Sequence, residues 1–414
     1  MNKKVWVIVT VIVAVLVLLF VAFCVLCQRE VGIINTFGEK SDMTFIINRT
    51  SHLDSTSIEK EINASYKRGS PYFFYNDRIA KDKITEDDNY ISDNFLNAIT
   101  NENNYLEFPG DVISQLGYYF LVKKEDGNYI YEVDEQDYKT TISKCVKTPC
   151  NRLVCINDYL CCATPNNDMI YMYPGLDLRN TPKILNFKKP SFISGPEEQS
   201  ISYELYVFDG QFLIHYNDDG SVDGKVELDN IPINDKMLVF GSFSICYSNE
   251  VLFYDGSNAW GVSFKEKKVL WKKQIDIIGQ GTDRVGCYFA PTKQGIMAIS
   301  SSTGETKLIV DGDGWKLIDS VNDNLNNSVS SGNAILFLRQ LSNNKYEPVL
   351  ILATEGKAKV ITCEPFEGEY KGYFFLMDIH RSGGTPNDQY NFIFLTHDRV
   401  YQYGIKRPFK IVFK

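Results

Sequence analysis

Histidine is nearly missing from this chain, with four in 414 residues at His52, His215, His380 and His397. None has an evident Ser or Cys partner, and no G-x-S-x-G elbow is present. The usual signatures of nucleophilic hydrolysis are therefore lacking. Beyond residue 30 no two cysteines take C-x-x-C spacing, and no histidine lies near the cysteine cluster, so a zinc site has no ligand set to draw on. A basic excess is lacking as well. The net charge is -9, and residues 1–30 contribute Lys3, Lys4 and Arg29 against Glu30 alone, so the remainder is more acidic still. An acidic surface repels nucleic acid and anionic lipid head groups and favours cations or basic partners. Nucleic acid is thus excluded as a partner.

Long apolar runs are absent except for one. Val5 to Cys27 carries no charge and is dominated by Val, Leu, Ile and Phe, enough to cross a bilayer as a helix, which needs roughly 20 such residues. Lys3 and Lys4 precede it while Arg29 and Glu30 cancel behind it. The positive-inside bias then leaves the N-terminus cytoplasmic and sends the rest across. Residues 1–30 read as a cytoplasmic tip and signal-anchor helix, holding a single-pass protein with its C-terminal domain outside the cytoplasm. The alternative is a signal peptide cleaved near Ala22–Cys24 or Val25–Cys27, which gives a secreted protein. Both readings export the chain.

Export changes the reading of the cysteines. Cys145, Cys150, Cys155, Cys161 and Cys162 are clustered, and Cys246, Cys287 and Cys363 follow. In an oxidising compartment all eight are disulfide candidates, with buried free thiols the alternative and no pairing legible. Asn48, Asn63 and Asn326 stand in N-x-S/T sequons and are glycosylation candidates if the source is eukaryotic.

Residues 31–115 read as a membrane-proximal segment, partly helical, with Ile91, Phe95, Leu96 and Ile99 at helical spacing behind Ser92. An irregular first blade is the other reading of this stretch. From 116 to 414 the pattern repeats. An apolar strand, a turn and a Lys- or β-branched-rich strand recur from Asn128, Asp168, Gln211, Asn258, Gln294, Glu347 and Asp398. Asp-Gly pairs at Asp126, Asp209, Asp219, Asp223, Asp255, Asp311 and Asp313, with Thr303-Gly304, supply turns. A period of roughly 40–50 residues with about four strands per unit is that of β-propeller blades. The expected fold is all-β: a propeller of about seven four-stranded blades, behind one N-terminal transmembrane helix and the partly helical segment. A β-sandwich is the competing fold.

GIMAISSSTGETKLI from Gly295 and NAWGVSFKEKKVLWKKQ from Asn258 resemble the blade hairpin of the quinoprotein-like (PQQ-type) propeller superfamily. There an apolar strand passes through a T-G turn into a strand often ending in Trp. Only Trp271 sits in that place here. Some quinoprotein members carry a vicinal disulfide against their cofactor, and Cys161-Cys162 invites that comparison. Adjacent residues of a strand point to opposite faces, so the two cysteines are expected to pair or pack separately.

Asp219, Ser221, Asp223 and Glu227 form the most specific local motif. Oxygen ligands at alternate positions around a Gly suit Ca2+, and the run resembles the calcium loops of integrin-type propellers, with Ser221 and Glu227 departing from the usual acids. Two ordinary Asp-Gly turns are the plain reading. His215, on the alternating face of QFLIHY, reads as a satisfied sheet residue. With no catalytic signature, the sequence favours a membrane-anchored binding or scaffold module for a protein or glycan partner, with a place as a subunit of a membrane complex as one form of that role. An exported glycosidase-like enzyme is the second reading, and a quinoprotein oxidoreductase a more distant one.

Overall fold

The computed structural model describes residues 39–52, 108–116, 119–136, 139–156, 158–187, 189–194, 204–217, 219–240, 250–284, 286–321, 333–354, 357–377, 390–396 and 399–406. The apolar segment at 5–27, Asn63, Asn326, Cys246 and the expected helix near 91–99 lie outside these. Among the described residues no helix is long and apolar enough to cross a membrane.

Every described element is a strand. After β1 (Glu39–His52), five four-stranded antiparallel sheets follow one another along the chain. The first contains β2 (Asp111–Leu116), β3 (Tyr119–Lys124), β4 (Gly127–Gln136) and β5 (Lys139–Thr148). The second contains β6 (Arg152–Ile156), β7 (Tyr159–Ala163), β8 (Met169–Pro174) and β9 (Lys183–Asn186). β10 (Phe192–Ile193), β11 (Leu205–Phe208), β12 (Phe212–Tyr216) and β13 (Val222–Glu227) form the third. β14 (Leu238–Phe240), β15 (Glu250–Tyr254), β16 (Asn258–Ser263) and β17 (Lys268–Gln274) form the fourth. The fifth is β18 (Thr282–Arg284), β19 (Cys287–Thr292), β20 (Gly295–Ser300) and β21 (Thr306–Asp311).

The remaining strands share one larger sheet. It holds β22 (Trp315–Val321), β23 (Asn333–Ser342), β24 (Lys345–Thr354) and β25 (Lys357–Cys363), then β1, with β26 (Phe366–Glu367) beside β24. Beyond β1 come β29 (Arg399–Lys406), β28 (Tyr390–Thr396) and β27 (Tyr370–Met377). β1 runs antiparallel to β29 and parallel to β25, so the N-terminal strand is tied into the C-terminal sheet. β1 and all but the last residue of β2 fall within 31–115, and that stretch contributes to two sheets.

This is β-propeller blade architecture, and the burial pattern explains why the sequence adopts it. Within the four-stranded sheets the second and third strands are covered on both faces, as in β11 and β19, where every residue is buried. They consequently read as continuous apolar runs. The fourth strands alternate, as in β13 and β21, because only one face is covered. The Lys residues of β17 keep such an outer edge soluble. Successive sheets pack face to face. Leu121, Ile130, Leu153 and Leu160 join the first two, and Val154, Ile170, Ile193 and Val207 the next pair. Phe208, Val226, Phe253 and Val262 fill the third interface, and Phe240, Leu252, Tyr288 and Ile299 the fourth.

Trp271 shows how the sheets are locked. Its indole leaves β17 and donates from Nε1 to the Ser301 carbonyl of the fifth sheet at 2.7 Å. It lies against Gly304, whose φ is 65°, and a Cβ there would meet the ring at 2.5 Å. The T-G turn flagged in the sequence is thus the seat of the tryptophan from the preceding sheet.

Candidate functional site at one end of the strands

The meander fixes which connections lie together. In each four-stranded sheet the links between first and second strands and between third and fourth strands fall at one end. Links between second and third strands, and those leading to the next sheet, fall at the other. At the second end the links between second and third strands are tight turns. Asp209 accepts from the backbone N–H groups of Gln211 and Phe212 at 3.0 and 2.8 Å, and Asp255 does the same for Ser257 and Asn258 at 2.8 and 2.7 Å. Asp255 also accepts from the Trp260 indole at 3.1 Å. Burial opposes its charge, but the hydrogen bonds from Asn258, Ser257 and Trp260 together hold its pKa below the ordinary carboxylate value.

The first end is different. Its first-to-second-strand connections in the third and fourth sheets run between Ile193 and Leu205 and between Phe240 and Glu250. Both are longer than the 2–5 residues of a typical hairpin. Here the third and fourth sheets bring together His215, Glu204, Asp223, Tyr206 and Phe264. His215 Nδ1 lies 3.0 Å from Asp223 Oδ2, and its Nε2 lies 3.9 Å from Glu204 Oε2. The Tyr206 hydroxyl donates to that same Glu204 oxygen. The Tyr206 ring stacks on the imidazole with centroids 4.9 Å apart, and Phe264 of the next sheet covers both at 5.7 and 5.5 Å. Burial, with Glu204 beside it, pushes the Tyr206 phenol well above its ordinary pKa. The phenol therefore stays a neutral donor.

The same end continues into the fifth sheet. Asp283 and Arg284 close β18, and Tyr288 follows at the start of β19. The Tyr288 hydroxyl is buried and has no hydrogen-bond partner among the described residues. Burial, then Asp283 and Glu250, raise its pKa as well. Chemically the site offers carboxylate oxygens on a half-buried aromatic floor, suited to accepting hydrogen bonds from cationic, amide or hydroxyl donors.

The residues singled out in the sequence are placed as follows. Asp219 Oδ1 accepts from the Ser221 backbone and hydroxyl at 2.8 and 2.5 Å, which lowers its pKa. Its carbonyl accepts from Lys183 of the second sheet. Asp223 is the extra residue at a register shift opposite His215 and Tyr216. Glu227 sits four residues further along β13, about 13 Å away at strand rise, and accepts from Gln211 at 2.8 Å. The Ca2+ candidates Asp219, Ser221, Asp223 and Glu227 are thus shared among three separate hydrogen-bonded groups. Among the described residues no group of three or more His, Cys, Asp or Glu side chains gathers for a metal ion. Asp223-Gly224, read as a turn, instead lies inside β13. Gly224 is needed there because a Cβ would meet Phe264 at 2.7 Å.

His215 is half-buried and hydrogen-bonded within its sheet, as expected. Cys161 and Cys162 do face opposite ways. Cys162 joins the core shared with the first sheet, and Cys161 the core shared with the third. Cys145, Cys150, Cys155, Cys161, Cys162, Cys287 and Cys363 are all present as thiols, Cys145 alone being exposed. Asn48 falls within β1. Sequence reasoning missed Glu204, Tyr206 and Phe264. A signal existed, since Glu204-Leu-Tyr-Val-Phe and Glu250-Val-Leu-Phe-Tyr open equivalent strands in successive sheets.

No family model matches the sequence, and no curated protein does. Among solved structures the chain is similar to BamB from Moraxella catarrhalis, at 9% identity and TM-score 0.42, covering 73% of this chain and 85% of that one. It is also similar to BBS1N in complex with ARL6DN, at 12% identity and TM-score 0.40, covering 72% and 94%. The WD40 domain from Toxoplasma gondii coronin matches at 10% identity and TM-score 0.39, covering 72% and 81%. No ligand, partner or activity carries over at these identities, and the blade architecture stands on the topology itself.

Proposed function

We propose that the protein is a membrane-anchored, extracytoplasmic propeller that binds a protein or glycan partner through the end carrying its long connections. One observation carries this reading. The second-to-third-strand turns at Asp209 and Asp255 spend those carboxylates on their own backbone, whereas the opposite end combines long connections with Glu204 and Asp223, which reach solvent from an aromatic floor. Binding residues concentrate on loops held by a rigid scaffold, and the face-to-face cores of successive sheets supply that rigidity.

In this reading β27, β28 and β29 with β1 as fourth strand make a seventh blade, so that the two chain ends close the ring. Residues 5–27 hold the propeller at the membrane. The test replaces residues 195–203 with a Gly-Ser linker in the detergent-solubilised full chain. Loss of the co-purifying partner with an unchanged melting temperature is expected, and an unaffected partner contradicts the reading. Protease protection in sealed vesicles checks the topology, which fails if the C-terminal region is cytoplasmic.

A further inference from the structure

Two cysteines at the junction of the first and second sheets are far closer than thiol packing requires. Cys150 Sγ and Cys162 Sγ lie 2.7 Å apart, and both side chains are fully buried. The other sulfur contacts set the scale: Thr148 Oγ1 to Cys162 Sγ is 3.8 Å, and Cys363 Sγ to the Ile361 carbonyl is also 3.8 Å. A spacing more than an ångström shorter lies nearer to the roughly 2.05 Å of a covalent S–S bond.

The backbone around Cys150 is fixed in place. Its N–H donates to Thr148 Oγ1 at 3.3 Å, and its carbonyl accepts from Asn128 Nδ2 of β4 at 2.8 Å. The next N–H, of Asn151, donates to the Ala163 carbonyl at 3.0 Å. Cys162, on β7, is held by ladder pairing to Leu153 and Tyr171. The pair is therefore pre-positioned rather than brought together by a flexible loop.

We propose that Cys150 and Cys162 form a disulfide that clips the connection between the first two sheets onto β7. Its formation in the cell rests on the exported reading above, because the chemistry needs a disulfide oxidant. One Sγ–Sγ bond forms and the S–S bond of the oxidant breaks. The two protons and two electrons lost by the thiols leave on the oxidant's sulfurs, as two thiols. Burial raises the Cys162 thiol well above its ordinary pKa, so the bond forms while the chain folds, before the site closes. Cys155 and Cys161, opposite one another on β6 and β7 and packed toward the third sheet, remain outside this bond.

The test is cell-free synthesis of the full chain in detergent with oxidised glutathione present, followed by alkylation and tryptic mapping without reductant. The peptide holding Cys150, bounded by Lys147 and Arg152, is expected to be linked to the one ending at Arg179. That link survives Cys155→Ser and Cys161→Ser and disappears in Cys162→Ser and in Cys150→Ser. Melting should fall by about 5 °C when reductant replaces the oxidant. Absence of the link in the unsubstituted chain, or its persistence in Cys162→Ser, overturns the pairing. Mapping the protein from its own membranes, alkylated before lysis, separates the two ideas. A link that forms in vitro but is missing there leaves the pairing intact and overturns the exported reading.

Discussion

Two pairs of carboxylates at opposite ends of the sheets are used in different ways. At the tight-turn end, Asp209 and Asp255 turn inward and cap the backbone of their own hairpins. At the other end, Glu204 and Asp223 bracket His215, and their side chains remain 39% and 49% exposed. A carboxylate satisfied by its own turn contributes to stability and offers little to a partner. One that rests on an aromatic floor and still reaches solvent is the kind the proposed recognition uses. The difference teaches that a carboxylate's surroundings decide its use: Asp209 and Asp255 hold turns, and Glu204 and Asp223 are the ones the proposed binding role draws on.

The largest expected effect removes the indole that links the fourth and fifth sheets. Trp271→Ala deletes a buried indole and its hydrogen bond to Ser301, and should lower the unfolding free energy by about 3–5 kcal/mol in a denaturant titration. A loss below about 1 kcal/mol would mean that the sheets are not locked through this contact.

Next comes Asp255→Ala at the tight-turn end, with an expected loss of about 1–2 kcal/mol near neutral pH. Its pKa in the folded protein is depressed. The stabilisation is therefore fully present above the unfolded carboxylate value, about 3.9, and is lost as pH falls through the folded value. The two proteins should converge in stability under acid, and a difference that persists there would point to packing in place of charge. The smallest effect is at the recognition end. Asp223→Ala should change stability by less than about 1 kcal/mol, since its side chain, hydrogen-bonded to His215, is 49% exposed. Addition of a chelator should leave the melting temperature of either protein unmoved. A chelator-induced fall lost in Asp223→Ala would show that a cation reorganises Asp219, Ser221 and Asp223 into one site.

Much of the fold was legible because it is local. The repeats read from Asn128, Asp168, Gln211, Asn258, Gln294 and Glu347 each open a third-to-fourth-strand hairpin, where neighbouring strands and a turn signal lie within one stretch. First strands such as Phe192–Ile193 are too short to show any period. The union of β1 with β29 joins opposite ends of the sequence, which no local pattern encodes. The alternation rule separated Cys161 from Cys162 correctly. It said nothing of Cys150, whose approach to Cys162 depends on how two sheets stack. The cluster around His215 was hidden for the same reason: Glu204, His215 and Phe264 come from three strands in two sheets. Asp223-Gly224 misled because a glycine demanded by close packing looks the same in sequence as one demanded by a turn.

The division between the two ends is tested most directly by a photo-cross-linking residue placed in cells at either of two exposed positions. Ser221 lies at the proposed recognition end and Ser257 in a tight turn at the other. The account predicts an adduct to one discrete partner from position 221 and none from position 257. An adduct from 257 alone, or equal adducts from both, would contradict it.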